Sequence, residues 1–166
     1  INAGIAKAIV EACAKFCPDA ILGLIVNPVN SVVPAMAELY AKKGLDPMKV
    51  LGVTSLDCVR ANKFVHEVTK QPLHEINVPV IGGHAGKTIL PLFKQDVIAA
   101  KYLKDQDEDG VLGIPGLDKR VQDAGTEVVN AKGGKGSATL SMAYAGARFA
   151  GAVLAGLSGE ERTECC

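Results

Sequence analysis

Apolar residues at Ile5, Ile9, Ala12, Cys13 and Phe16 recur with the helical period, while Lys7, Glu11 and Lys15 fall on the opposite side, so residues 3–16 are predicted as an amphipathic helix. Pro18 ends it. The run Ala20-Ile21-Leu22-Gly23-Leu24-Ile25-Val26 is apolar throughout and of strand length, the pattern of a strand covered on both faces in a parallel sheet. Asn27-Pro28-Val29-Asn30 breaks it. A second helix is predicted over 31–43, with Pro34 tolerated in its first turn and Gly44 as its stop, followed by a second buried strand over 49–54. Strand, helix, strand in this order is a parallel crossover unit.

Thr54 or Ser55 is placed to cap a further helix over 56–68, with Val65 and Val68 facing inward. Ile76, Val78 and Val80 alternate in a strand that leads into a glycine-bounded loop, and 88–93 resumes the apolar pattern. Residues 94–119, charged and glycine-containing, read as an exposed excursion. A helix follows over 117–132. Gly133-Gly134-Lys135-Gly136 then leads to Ser137, a cap for a long Ala- and Gly-rich helix up to about residue 157, whose small residues Ala143, Ala145, Gly146, Ala147, Ala150 and Gly151 permit close packing.

With 166 residues and 48% hydrophobic content the chain can bury a core as one domain or two small lobes. Lys plus Arg and Asp plus Glu balance at 18 each, and no basic stripe carries interleaved aromatics, which argues against nucleic acid. The longest uninterrupted apolar runs fall short of a bilayer span, so no membrane partner is expected. The five cysteines, Cys13, Cys17, Cys58, Cys165 and Cys166, show no zinc pattern, and no metal is assigned. An odd count suits free thiols in a reducing compartment.

Candidate chemistry centres on Val80-Ile81-Gly82-Gly83-His84-Ala85-Gly86-Lys87-Thr88. Glycines on both sides allow a tight turn and close approach of a ligand, and imidazole is the side chain suited to moving protons near neutral pH. A loop histidine is also commonly structural. Gly86-Lys87-Thr88 matches the end of a phosphate-binding GxxxxGK[ST], but the motif needs glycine where Ile81 stands, and Pro91 would interrupt the helix that should follow. Asp57 and Arg60, three residues apart, share a helix face. They are either an exposed ion pair or, with His84 nearby, an acid that orients the imidazole and a guanidinium that forks onto a substrate carboxylate. Asn27, at the carboxyl end of a parallel strand, is either turn chemistry or a ligand contact.

Taken together and in order, the motifs resemble the mitochondrial-type malate dehydrogenases of the lactate/malate dehydrogenase family. The resemblance rests on Ile1-Asn2-Ala3-Gly4-Ile5, Asn27-Pro28-Val29-Asn30-Ser31, Leu56-Asp57-Cys58-Val59-Arg60-Ala61-Asn62, the stretch from Asn77 through His84 to Thr88, Ala124-Gly125-Thr126-Glu127-Val128-Val129, and Gly136-Ser137-Ala138-Thr139-Leu140-Ser141-Met142 with the residues up to Phe149. It implies an α/β fold: the C-terminal part of a Rossmann-like parallel sheet domain that binds NAD (1–53), then part of an α+β catalytic domain (54–166). It implies NAD-dependent oxidation of malate to oxaloacetate, with His84 as proton acceptor, Asp57 as its orienting partner, and Arg60 and Asn27 as substrate ligands. Asn2, Ile25, Val26, Asn27 and Met142 match positions that touch NAD. A homodimer and a mitochondrial location also follow from the resemblance, with another organelle or the cytoplasm compatible.

Absent from the chain are the family's GxGxxG turn, its ribose-binding acid and the mobile loop with two arginines, so the sequence reads as an internal segment, expected to be inactive alone. Two other readings remain: a non-catalytic remnant of the same fold, and a phosphate-loop nucleotide-binding protein.

Overall fold

Two units make up the chain in the computed structural model, which describes residues 1–105, 116–137 and 140–166. They comprise Ile1–Val53 with Cys166, and Thr54–Cys165.

The first unit contains α1 (Asn2–Phe16), β1 (Leu22–Leu24), α2 (Val29–Lys42) and β2 (Val50–Gly52). β1 and β2 pair in parallel, with Leu22 opposite Val50 and Leu24 opposite Gly52, and α2 supplies the crossover. Glycine at 52 is what lets α2 come this close: a Cβ there would meet the γ-methyls of Val33 and Val29 at 2.9 and 3.0 Å. Ala6, Val10, Val32, Met36, Tyr40 and Val50 form the core.

The side of α1 that packs is not the predicted one. Ala6 and Val10 are buried, with Ala14 packed beside them, whereas Ile5, Ile9 and Phe16 are exposed. The helix is apolar on more than one side, and periodicity cannot tell which of two stripes α2 will cover. The strands are also shorter than the apolar runs. Gly23 and Ile25 are exposed, so the two-sided cover expected of β1 is not found among the described residues. α2 starts two residues early, at Val29, which places Pro34 in its second turn.

In the second unit, α3 (Ser55–Thr69), β3 (Val80–Gly82), β4 (Ile89–Pro91), α4 (Val97–Asp105), α5 (Leu117–Ala131) and α6 (Leu140–Leu157) follow one another. β3 and β4 are antiparallel, Ile81 facing Leu90. α3 is central, packed by α4, α5, α6 and the hairpin. Its Ala61, Phe64 and Val65 join Ile76, Val78, Ile89, Phe93 and Val121 in one cluster, but Val68 is exposed, not inward. Buried polar groups pin the path into the hairpin: Asn62 Oδ1 accepts the Val78 amide at 2.8 Å, and Asp96 accepts the Asn77 amide at 2.7 Å and that of Ala99 at 2.8 Å.

The exposed excursion expected over 94–119 is corrected in its described part. Asp96 caps α4, which buries Ala99 and Leu103 against the cluster, and α5 begins at Leu117 with that residue buried. The charges catch the eye, yet one apolar stripe is enough to dock a helix. Residues 106–115 lie outside the described residues, as do 138 and 139 beside the expected Ser137 cap. α6 packs through Ala145 and Phe149, while Ala143, Ala147, Ala150 and Gly151 are exposed. By length and composition alone α6 reaches what a membrane span requires, a property that counting uninterrupted apolar runs overlooks because Arg148 interrupts it. That arginine donates to Glu164 Oε2 at 2.6 Å.

Candidate active site

Asp57 is the third residue of α3, and the backbone bond from its amide to the Thr54 carbonyl at 3.0 Å closes the first turn. Thr54 holds the cap position without a side-chain hydrogen bond, and the Ser55 hydroxyl donates instead to the Cys165 carbonyl at 3.4 Å. An acid in the first turn is favoured by the helix dipole, and the carboxyl is directed at a side chain rather than back at the helix.

His84 lies in the loop joining β3 to a short 3-10 turn, Gly86–Thr88, that leads into β4. Gly82 has φ 85°, and a Cβ there would collide with the Thr88 carbonyl oxygen, so only glycine fits. The Gly83 amide donates to that same carbonyl at 2.9 Å. The Thr88 hydroxyl donates to the Ala85 carbonyl at 2.8 Å. These bonds define the loop that carries the imidazole, and they dispose of the phosphate-loop reading: Gly86-Lys87-Thr88 is a turn inside an antiparallel hairpin and is followed by a strand, not by a helix N-terminus.

Asp57 Oδ2 and His84 Nδ1 are 2.5 Å apart, with side chains 3% and 17% exposed. Arg60, one turn further along α3, has Nη1 3.8 Å from Asp57 Oδ1. That separation is an ion pair rather than a hydrogen bond, and Oδ1 is otherwise buried without a hydrogen-bond partner. Burial pulls the guanidinium below the usual arginine value, against the raising pull of Asp57 and Glu127. α5 passes beside it, since a Cβ on Gly125 would sit 3.9 Å from Nη1. The sequence had singled out neither Gly125 nor Glu127 for chemistry. They appear only inside a motif, far along the chain from Arg60, with no periodic signal to link them.

A carboxylate against one imidazole nitrogen holds the ring's orientation and selects its tautomer. Arg60 offers a planar donor fork that a single ion pair at 3.8 Å does not saturate. One base and one anion fork, both largely shielded from water, suit a small acid bearing a hydroxyl or keto group.

The remaining predicted residues divide between the units. Asn2 opens α1, and its Nδ2 donates to the Asn27 carbonyl at 2.8 Å, joining the helix start to the segment beyond the carboxyl end of β1. Ile25 is 50% exposed, Val26 packs partly on the core, and Asn27 is exposed before Pro28. Met142 is half-buried in α6. Cys58, next to Asp57, is buried, and burial followed by the neighbouring Cys165 pushes its thiol up to about 12. Among the described residues no group of three or more His, Cys, Asp or Glu side chains is arranged to hold a metal ion.

The profile of the lactate/malate dehydrogenase alpha/beta C-terminal domain matches residues 54–164. The chain therefore belongs to the lactate/malate dehydrogenase family. Within that family it is 58% identical over 160 residues to a mitochondrial malate dehydrogenase of Eucalyptus gunnii, covering 96% of this chain and 44% of that protein. Peroxisomal malate dehydrogenase 2 of Arabidopsis thaliana is 53% identical, over 100% of this chain and 45% of the relative. Among solved structures, the malate dehydrogenase of Cryptosporidium parvum superposes with TM-score 0.78 at 25% identity, covering 92% of this chain and 48% of the other. The lactate dehydrogenase of the same organism, complexed with lactic acid and β-nicotinamide adenine dinucleotide, gives 0.76 at 25% identity, over 90% and 47%. The chain thus spans less than half the length of the curated relatives it matches.

Proposed function

We propose that the protein carrying this chain catalyses the NAD-dependent interconversion of malate and oxaloacetate, with His84 as the proton acceptor. The observation that carries the reading is the buried contact between Asp57 Oδ2 and His84 Nδ1 at 2.5 Å, with Arg60 on the same helix face. In malate oxidation, Nε2 of His84 takes the hydroxyl proton, and Asp57 stabilises the imidazolium that results. Arg60 grips the substrate carboxylate and so fixes the carbon-bound hydrogen relative to its acceptor. In the reverse direction the imidazolium returns its proton to the keto oxygen.

The residues assigned to NAD fit the nicotinamide end of that group. Ile25 offers a half-exposed apolar side chain at the carboxyl end of a parallel strand, where ligands bind in open α/β sheets. Asn2 and Asn27 are tied together beside it, whereas Met142, in the second unit, is assigned to NAD on family grounds alone. NAD, when bound, accepts the hydride. The division of the chain between Val53 and Thr54 supports reading 1–53 as part of the nucleotide domain and 54–166 as part of the catalytic domain.

Identity of 55% to 58% to mitochondrial relatives against 53% to the peroxisomal one favours a mitochondrial location. We assign a homodimer on family grounds, to be checked by analytical sedimentation of the full-length protein in solution; a monomer would refute it. For the activity, the test is His84→Asn in the full-length protein, followed by NADH formation from malate. The rate should fall by about 10²- to 10⁴-fold while NADH binding, read by fluorescence titration, persists. Unchanged turnover would refute the assignment, and an inactive wild-type protein that binds no NADH would favour the non-catalytic remnant.

A further inference from the structure

At the C-terminal end of α1, two thiols and a buried phenol meet. Cys13 and Cys17 are one turn apart, and the Cys17 amide donates to the Cys13 carbonyl at 2.8 Å. Helix rise and radius put their Cα atoms about 6 Å apart, inside the disulfide range of roughly 4.4 to 6.8 Å. Cys17 is the helix cap, with φ −145° and ψ 61°, so its Cβ is not held parallel to that of Cys13 as it would be within a regular turn. Pro18 follows and has no N–H, so the helix does not continue past Cys17. Cys17 is exposed and Cys13 half-buried.

We propose that Cys13 and Cys17 form a reversible dithiol–disulfide site, oxidised by a peroxide and restored by a dithiol. This does not depend on the acid–base reading of His84. Exposure makes Cys17 the sulfur that reacts first, because burial raises the Cys13 thiol and keeps it protonated. The Cys17 thiolate attacks hydrogen peroxide: an S–O bond forms, the O–O bond breaks, and hydroxide leaves, giving a sulfenic acid. Cys13 then attacks that sulfur; the S–S bond forms as the S–O bond breaks, and the hydroxide released takes the thiol proton as water. Two thiols lose two electrons and one peroxide becomes two waters. Beside the pair lies Tyr40, fully buried, whose hydroxyl has no hydrogen-bond partner. Burial raises its proton affinity, and thiolate charge at Cys13 and Cys17 would raise it further, so the uncharged disulfide is the better neighbour for it.

Lys15 lies between the two cysteines, so trypsin separates them unless a disulfide joins the products. The protein is treated with hydrogen peroxide, remaining thiols are alkylated, and the digest is run without reductant. Peptide 8–15 should appear linked to peptide 16–42, and dithiothreitol should part them. With Cys13→Ser and dimedone present, the adduct should form on Cys17. Separate, alkylated peptides from the peroxide-treated wild type would overturn the proposal, as would pairing of Cys17 with Cys166 or dimedone labelling confined to Cys13.

Discussion

Replacing Asp57 by asparagine keeps the shape of the side chain and removes its charge, which isolates what the carboxylate does for His84. The pair is 2.5 Å apart and the Asp57 side chain is 3% exposed, so neither water nor salt has access to substitute for the lost charge. A hydrogen bond to a charged group is worth about 1.5 to 3 kcal/mol, and at 1.36 kcal/mol per decade this is roughly a 10- to 150-fold loss in kcat, because the bond is strongest when the imidazole is protonated. Asparagine can also present its NH₂ to the ring and select the wrong tautomer, which pushes the loss towards the upper end. The assay is steady-state NADH formation from malate by the full-length protein, with circular dichroism to verify that the variant is folded. A folded Asp57→Asn enzyme within about twofold of wild type would refute the reasoning, since effects of that size lie below any charge-assisted bond.

Further expectations follow from the same contacts. Arg60→Lys keeps the charge but loses the planar fork, so KM for malate should rise by at least about tenfold, read from the same assay; an unchanged KM would place the carboxylate elsewhere. Phe93 is fully buried in the second unit, and Phe93→Ala should cost about 3 to 5 kcal/mol in denaturant unfolding. Arg120 stacks 4.0 Å from the Phe64 ring centroid and donates to Glu67 at 2.7 Å, so Arg120→Ala should cost about 1 to 2 kcal/mol by the same measurement. The Arg120 bond lowers Glu67 below the usual glutamate value, so this pair's contribution is present above that value and is lost as pH falls through the lowered one. Cys58, with its thiol pushed up to about 12, should stay unalkylated by iodoacetamide near pH 8 while Cys17 reacts, as mass spectrometry of the native protein would report.

Much of this architecture was legible in order and type. The period of α3 and the clear stops at Pro18 and Gly44 mark helix ends because proline and glycine act locally. The geometry that carries the site was legible only as types of residue. Asp57 and Arg60 share a helix face by spacing alone, yet nothing local says that the loop at His84 folds back onto that face. The resemblance supplied the link, and the bonds at Gly83, Asn62 and Asp96 account for it physically. What escaped was tertiary. Which stripe of α1 is covered depends on α2, and the docking of α4 depends on Asp96 serving as a cap amid charged neighbours. The approach of α5 to Arg60, at Gly125, joins segments far apart in the chain. How far the apolar runs of the first unit pair as strands depends on neighbours that no run of residues specifies by itself.

The most direct test of the whole account is a crystal structure of the full-length protein with NADH and a non-reacting dicarboxylate analogue of malate. The account expects one carboxylate forked on the Arg60 guanidinium and the analogue's central oxygen or nitrogen within hydrogen-bond reach of His84 Nε2, with Nδ1 still against Asp57. An analogue bound away from Arg60, or a His84 ring turned from Asp57 when the site is filled, would contradict it.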